Sequence, residues 1–317
     1  MSACSHKAGH LIKIFFSGGL ALVCIALLLA SLYRNYDFLQ AQHLSFSPLQ
    51  FTISLFPLVS SYFFIPSMWC RILASLGVSL PYPRAFCIQY LSHIGKYVPG
   101  KIWAYISQSY LASQAHVSLA ETLCSNVILM GLMHLNGLCI FALSFLVWNV
   151  FTFFIRCFLV LASFFLMCFF LRMHWIEKGV NAVLGRVTGL QITLRCQSLP
   201  YAILITENAL IWLIFSVGFH LMINSFYPVY MSQTLIIIGT YSISWLVGYY
   251  TFFFPGGLGV QEGIQVYLLT FFFPLPISIV IALASRVWLI LGDTIVFLLA
   301  VVVTMHENRL QRSAHGA

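Results

Sequence analysis

Seven stretches of this 317-residue chain are apolar and long enough to cross a lipid bilayer: residues 14–32, 51–70, 119–147, 151–171, 200–223, 233–250 and 277–303. A spanning helix needs ~20 consecutive apolar residues. Only 7% of the residues are charged, against 61% hydrophobic, so no polar stretch is long enough to fold as a soluble domain. The chain therefore reads as one all-α, polytopic integral membrane domain, 1–317. The first stretch follows Lys7 and Lys13 as in a signal peptide. It is longer than the ~7–15 residues of a signal core, so it reads as an uncleaved anchor.

The net charge of +8 invites a nucleic-acid reading, but the charges are placed by topology. Lys7 and Lys13 precede the first stretch. Arg71, Arg84, Lys96 and Lys101 follow the second, and Arg172, Lys178, Arg186 and Arg195 follow the fourth. The alternate loops hold almost no charge. This is the positive-inside pattern, which predicts a cytoplasmic N-terminus and two cytoplasmic basic loops. Nine cysteines include no C-x-x-C pair, and ten histidines no H-E-x-x-H, so neither a disulfide framework nor a metal site nor any other cofactor is expected. His134 and His220 read as packed, hydrogen-bonded histidines. Walker A, G-x-S-x-G and D-x-D signatures are also missing, and seven acidic residues leave little for acid–base chemistry. An enzyme is not expected.

Two Pro-Gly breaks interrupt the apolar pattern. One is Val98-Pro99-Gly100, within residues 95–103. The other is Pro255-Gly256-Gly257, within residues 254–263, which also contain Gly259 and Glu262. Proline removes a helix hydrogen bond and glycine loosens the backbone. Lipid tolerates such open backbone only where protein buries it or it lines a watery cavity. The flanks are too short to span, which predicts two re-entrant hairpins, 84–114 and 250–274, beside seven full spans. The count is eight if the second hairpin crosses completely, as Arg309 and Arg312 in the tail favour. The first half (1–148) and the second (200–304), joined by a connector span (151–171), each carry one break. The plan points to a parallel internal repeat, and paired breaks of this kind mark transporter binding sites.

Charges inside spans are costly and are functional candidates by default. Arg286 lies within the last span, with Asp293 seven residues further along. That spacing is long for a direct pair, so Glu262, on the arm just before, is the expected partner of Arg286. The first break has its own polar set: His93, Lys96, Lys101, Tyr105 and Gln108. Backbone N–H groups freed at Gly100 and Gly256 would suit a phosphate, with Lys96 and Lys101 adding positive charge. The alternative is that both lysines are solvated positive-inside residues. Glu121 and Glu207 read as edge groups or salt-bridge partners.

The residues Trp69-Cys70-Arg71-Ile72-Leu73, then Gly77, then Gly95-Lys96-Tyr97-Val98-Pro99-Gly100-Lys101-Ile102-Trp103 resemble the first signature of the lysylphosphatidylglycerol synthase transmembrane (flippase-like) family. Its second signature is similar to Pro255-Gly256-Gly257-Leu258-Gly259-Val260-Gln261-Glu262 with Arg286 in the next span. Where the family carries Glu-Arg early in the third span, this chain has Glu121-Thr122, so no arginine role carries over there. The resemblance implies a multi-pass protein of a prokaryotic plasma membrane, without the aminoacyl-transferase domain of the best-known relatives. The function it implies is translocation, or help with translocation, of an anionic or phosphate-bearing lipid or lipid-linked glycan in cell-envelope biogenesis. The expected binding residues are Lys96, Pro99, Gly100, Lys101, Pro255, Gly256, Gly257, Gly259, Glu262 and Arg286. Expected partners are membrane lipids and envelope-biosynthesis membrane proteins. The alternative is a non-transporting scaffold for envelope glycan or lipid enzymes.

Overall fold

A computed structural model of the chain describes residues 45–98, 102–144, 146–147, 200–251 and 254–315, with isolated positions at 26, 30, 33, 34, 155, 161 and 182. The expected first span (14–32) and connector (151–171) lie outside the described residues, apart from some of those single positions. In chain order the helices are α1 (Pro48–Tyr62), α2 (Phe64–Ser75), α3 (Tyr82–His93), α4 (Ile102–Ser113), α5 (Leu119–Ser144), α6 (Tyr201–Asn224), α7 (Met231–Tyr250), α8 (Val260–Leu269) and α9 (Leu275–His315). Two short 3-10 turns, Ile94–Tyr97 and Pro255–Gly257, mark the breaks. No strand occurs among the described residues.

Four helical stretches are long and apolar enough to cross a membrane: Pro48–Ser75, Leu119–Ser144, Tyr201–Asn224 and Leu275–Glu307. The protein is membrane-embedded. The first stretch is α1 and α2 together, interrupted at Phe63. Pro66 has no N–H to donate to the carbonyl of Tyr62 four residues earlier, which bends the helix there. The Tyr90 hydroxyl donates to that carbonyl instead, and the Tyr82 hydroxyl donates to the Phe63 carbonyl at 2.8 Å. The kink thus docks α3 against the α1–α2 joint. Helix α7 is 20 residues long, carries Thr240, Ser242 and Ser244, all buried, and is not among the four.

Apolar side chains cover the outside of the fold as well as its core, and several polar ones are held inside. Leu49, Phe56, Leu213, Val217, Leu298 and Val302 are exposed, while Gln108, Asn126, Asn208, Gln261 and Gln265 are buried. Lipid tails are as apolar as leucine, so helices in a bilayer associate through close packing and hydrogen bonds rather than through hydrophobic burial. Both devices are present. The Trp69 indole donates to Ser125 at 2.8 Å, the Trp288 indole to Ser54 at 2.9 Å, and the Asn208 amide to the Leu132 carbonyl at 2.8 Å. Helix α6 runs along α1, α7 along α5, and α9 packs on α1, α3 and α8. At the base of α5, Ser118 and Glu121 form a reciprocal cap: the Glu121 carboxylate accepts from the Ser118 N–H at 2.7 Å and the Ser118 hydroxyl from the Glu121 N–H at 3.2 Å.

The two breaks have unequal flanks. The first lies between α3 and α4, each 12 residues long and packed side by side, with Arg84 donating to the Gln114 carbonyl at 3.3 Å across the base. At the second, α7 runs intact to Tyr250 and only α8, 10 residues, follows. The interval 250–274 therefore holds one short helix instead of two arms. Gly256, Gly257 and Gly259 all have left-handed backbone, which turns the chain by glycine alone.

Gly257 and Gly77 separate strain from crowding. Gly77 closes α2 at a φ of +87° in open space, whereas a Cβ on Gly257 (φ +72°) would lie 2.8 Å from the Gly248 carbonyl oxygen. Gly77→Ala is expected to cost about 1–2 kcal/mol of backbone strain. Gly257→Ala adds a clash with α7 backbone and should lower the thermal unfolding temperature in detergent by clearly more. Equal shifts in the two variants would contradict the packing described for the second break.

Candidate functional site

Intramembrane charges need partners, and the fold supplies one to each of Lys96, Glu262, Arg286 and Asp293. Arg286 lies eleven residues beyond the first residue of α9, facing the second break. Its Nη1 lies 3.4 Å from Glu262 Oε1 and 3.4 Å from Gln261 Oε1, and its Nη2 donates to the Gly256 carbonyl at 3.0 Å. The expected pairing of Arg286 with Glu262 is present. Glu262 also works locally: its Oε2 accepts the Gly259 N–H at 2.6 Å, capping the start of α8. Glu262 is buried, its side chain 3% exposed, and Arg286 is mostly enclosed, at 12%.

Asp293 lies on the same side of α9, about 10 Å further along the axis for seven residues of helix. It does not pair with Arg286. Its Oδ2 accepts from Lys96 Nζ and from the Tyr97 hydroxyl, both at 2.6 Å. Lys96 also lies over the Tyr97 ring, 5.1 Å from its centroid. Lys96 is 30% exposed against 10% for Asp293, so the cation is the accessible member of this pair. Helix α9 thus presents a cation to the second break and a carboxylate to the first, and ties both to itself. The two 3-10 turns touch: a Cβ on Gly256 would lie 2.9 Å from Arg286 Nη2 and 3.6 Å from the Tyr97 ring.

Beneath this junction lies a cavity of about 270 Å³, to which every helix named above contributes at least one side chain. The charged part of its lining is Lys96, Asp293 and Arg286, with His93 and Tyr97. The uncharged part includes Gln89, Gln108 and Asn126, which bond to one another, and Tyr105, Trp212, Trp245 and Tyr249. Among the described residues, Arg286 Nε and Asp293 Oδ1 are buried without a hydrogen-bond partner. An unsatisfied buried polar atom is expensive and marks a place where another group can bind or the network can rearrange. The cations can hold an anion if it displaces the carboxylates from them.

Of the residues expected from sequence, Lys96, Gly256 and Arg286 line the cavity, and Glu262 and Gly259 support Arg286 from behind. Pro255 and Gly257 shape the turn between α7 and α8. Pro99, Gly100 and Lys101 lie outside the described residues. Of the N–H groups at the second break, that of Gly257 donates to the Phe254 carbonyl at 3.0 Å and that of Gly259 to Glu262, so these two are taken. Gly256 presents its carbonyl to Arg286, so the side-chain cations carry what positive charge the site offers. Asp293 is the main residue the sequence reading left without a partner. An isolated carboxylate in an apolar span was the available signal, but its partner lies 197 residues earlier. Asn126 and Gln89 were also passed over, although a lone amide within the apolar stretch 119–147 marks an inward face. Glu207 and Glu121 lie away from the cavity. Glu207 accepts from Ser67 at 3.0 Å and Arg71 at 3.1 Å, while Glu121 is a helix cap. His134 bonds with the Tyr250 hydroxyl at 3.1 Å, and His220 with Thr234 at 2.7 Å and Asn224 at 2.9 Å, as packed histidines do. Comparison with family models, with curated proteins and with solved structures finds no match for the chain.

Removing one partner of a buried ion pair strands the other, typically at a cost of about 3–5 kcal/mol. Glu262→Gln keeps an acceptor for the Gly259 N–H but removes the charge, so its destabilisation isolates the pair. Glu262→Gln and Arg286→Met should each lower the unfolding temperature, and the double variant should lose less than the sum. Additive losses would mean that the two charges do not stabilise one another.

Proposed function

We propose that the protein binds the phosphate of an anionic lipid or lipid-linked glycan in this cavity and moves it across, or presents it within, the membrane. The observation that carries the reading is the pair of neutralised cations. Lys96 and Arg286 come from opposite halves of the chain, line one cavity in a membrane-embedded protein, and are each balanced by a carboxylate. A phosphate entering the site exchanges for those carboxylates, so the cations are never left bare in low dielectric. Lysine offers a point charge and arginine a planar fork, and both suit phosphate oxygens. The two motifs that resemble the flippase-like family contain Lys96, Gly256 and Glu262, with Arg286 following the second, and so point to the same place.

In this reading the two breaks are the moving joints. The α3–α4 pair enters the membrane without crossing it, and α8 does the same after α7. Each break is then held to α9 by one ion pair that opens when the headgroup arrives. Seven or eight crossings, a cytoplasmic N-terminus and a prokaryotic plasma membrane complete the proposal. No nucleotide-binding motif accompanies it, so the driving force is a gradient or a partner protein, and no catalytic step is proposed.

The mutual neutralisation of both pairs also suits a second reading, in which they are structural clasps in a non-transporting scaffold for envelope enzymes. Reconstituted proteoliposomes separate the two. Labelled anionic phospholipid should cross faster than in protein-free vesicles. Arg286→Gln and Lys96→Gln should slow it by about tenfold or more, equivalent to at least ~1.4 kcal/mol. Rates equal to protein-free vesicles, unchanged in both variants, would defeat the translocase reading. Retention of cellular function after Glu262 and Arg286 are both replaced by apolar residues would favour the scaffold.

A further inference from the structure

We propose that the uncharged wall of the cavity is a subsite for a sugar or cyclic polyol ring, so that the headgroup bound here is a phosphate ester of a polyhydroxylated ring. The inference rests on the reading of the charged wall as a phosphate site; the ring subsite is the addition.

Three amide side chains from three helices meet on that wall. Gln108 Nε2 donates to Gln89 Oε1 at 3.1 Å and to Asn126 Oδ1 at 3.3 Å, and Asn126 Nδ2 donates back to Gln108 Oε1 at 2.9 Å. Gln108 and Asn126 are each 4% exposed. Two donors on the same wall, Gln89 Nε2 and Trp212 Nε1, are buried without a partner among the described residues. Four aromatic rings adjoin them. Trp212 and Trp245 meet edge-on at 6.0 Å, and the Tyr105 and Tyr249 hydroxyls contact each other.

An acyl chain is the wrong occupant for this wall, because hydrocarbon leaves the Gln89 Nε2 and Trp212 Nε1 donors unpartnered at a cost of about 1–3 kcal/mol each. A bare phosphate needs cations, and the amides supply none. A polyol ring matches both parts of the wall. Its hydroxyls donate and accept at once, as planar amides do, and its C–H faces pack on aromatic rings. Two unpartnered donors favour a ligand rich in acceptor oxygens. The volume of about 270 Å³ lies just below the ~300–1,000 Å³ of drug-sized pockets, so it admits a headgroup and leaves the acyl chains outside. Both walls belong to one cavity, which places ring and phosphate within a single molecule.

The test is native mass spectrometry of the full chain in detergent, titrated with four probes. Phosphatidylinositol carries ring and phosphate, phosphatidylethanol the phosphate diester alone, glucosyl diacylglycerol a ring alone, and glucose 1-phosphate a ring phosphate without a lipid. Phosphatidylinositol should bind about tenfold more tightly than phosphatidylethanol, the worth of one or two net hydrogen bonds. Gln108→Leu, or the half-buried Gln89→Leu if the first does not fold, should bring phosphatidylinositol down to the level of phosphatidylethanol and leave the latter unchanged. Arg286→Gln should weaken both. Equal binding of the two phospholipids in the parent protein overturns the ring subsite while leaving the phosphate reading intact. So does equal weakening of both by the amide variants. Glucosyl diacylglycerol binding as well as phosphatidylinositol overturns the joint site. If neither phospholipid binds, or if Arg286→Gln weakens neither, the phosphate reading itself fails. Glucose 1-phosphate matching phosphatidylinositol supports the subsite and shifts its source to a soluble sugar phosphate.

Discussion

A charge inside a bilayer must find a partner, and in this protein that requirement holds the two broken segments together. Helix α9 carries Arg286 and Asp293, two turns apart on one side. The first clamps Glu262 and the Gly256 carbonyl, and the second holds Lys96 and the Tyr97 hydroxyl. Neither break could be closed by its own residues. The first lacks an acidic residue of its own, and the second lacks a base. Each borrows the missing charge from α9, and the turns meet because the same helix serves both.

The remaining architecture follows from making that arrangement tolerable in lipid. Serine, threonine and amide side chains are set among the apolar residues of the interior, and the hydroxyls mostly bond back to helix carbonyls, so few of those hydroxyl donors need another partner. Tryptophan indoles reach across to serines, and glycines allow helices to approach until backbone nearly touches backbone. Pro66 adds a kink whose freed carbonyl is taken up by Tyr90, and Tyr90 in turn lines the cavity. A defect in one helix thus becomes a docking point for the next. The result is a cavity with one charged and one amide–aromatic wall, enclosed by helices whose outer faces are apolar.

How far this could be read in advance depended on sequence separation. The Glu262–Arg286 pair was legible: with seven acidic residues in the chain, few candidates existed, and the right one lay on the adjoining arm. The bland reading of Glu121 and Glu207 was also legible from their places at helix ends. Lys96–Asp293 was not, because 197 residues separate the partners and no local pattern links them. The two breaks are flanked differently: both contain Pro-Gly, but the first lies between two short helices, whereas the second follows α7, which is 20 residues long and ends at Tyr250. Composition says where backbone is loose, while hydrogen bonds to Phe254 and Glu262 decide that the Gly257 and Gly259 N–H groups are taken.

The sequence by itself determined that the protein lies in a membrane, where its helices break, and which charges are too deep to stand alone. Those properties follow from local hydropathy, from proline and glycine backbone chemistry, and from the cost of an unpaired charge in hydrocarbon. Only the tertiary structure decided that the breaks converge on one cavity, that α9 joins them, and that amides from α3, α4 and α5 line it together with aromatic rings from α4, α6 and α7. These are contacts between residues distant in the chain. They are set by which helix faces pack together, and helix packing in lipid rests on shape and hydrogen bonding that a linear pattern does not encode.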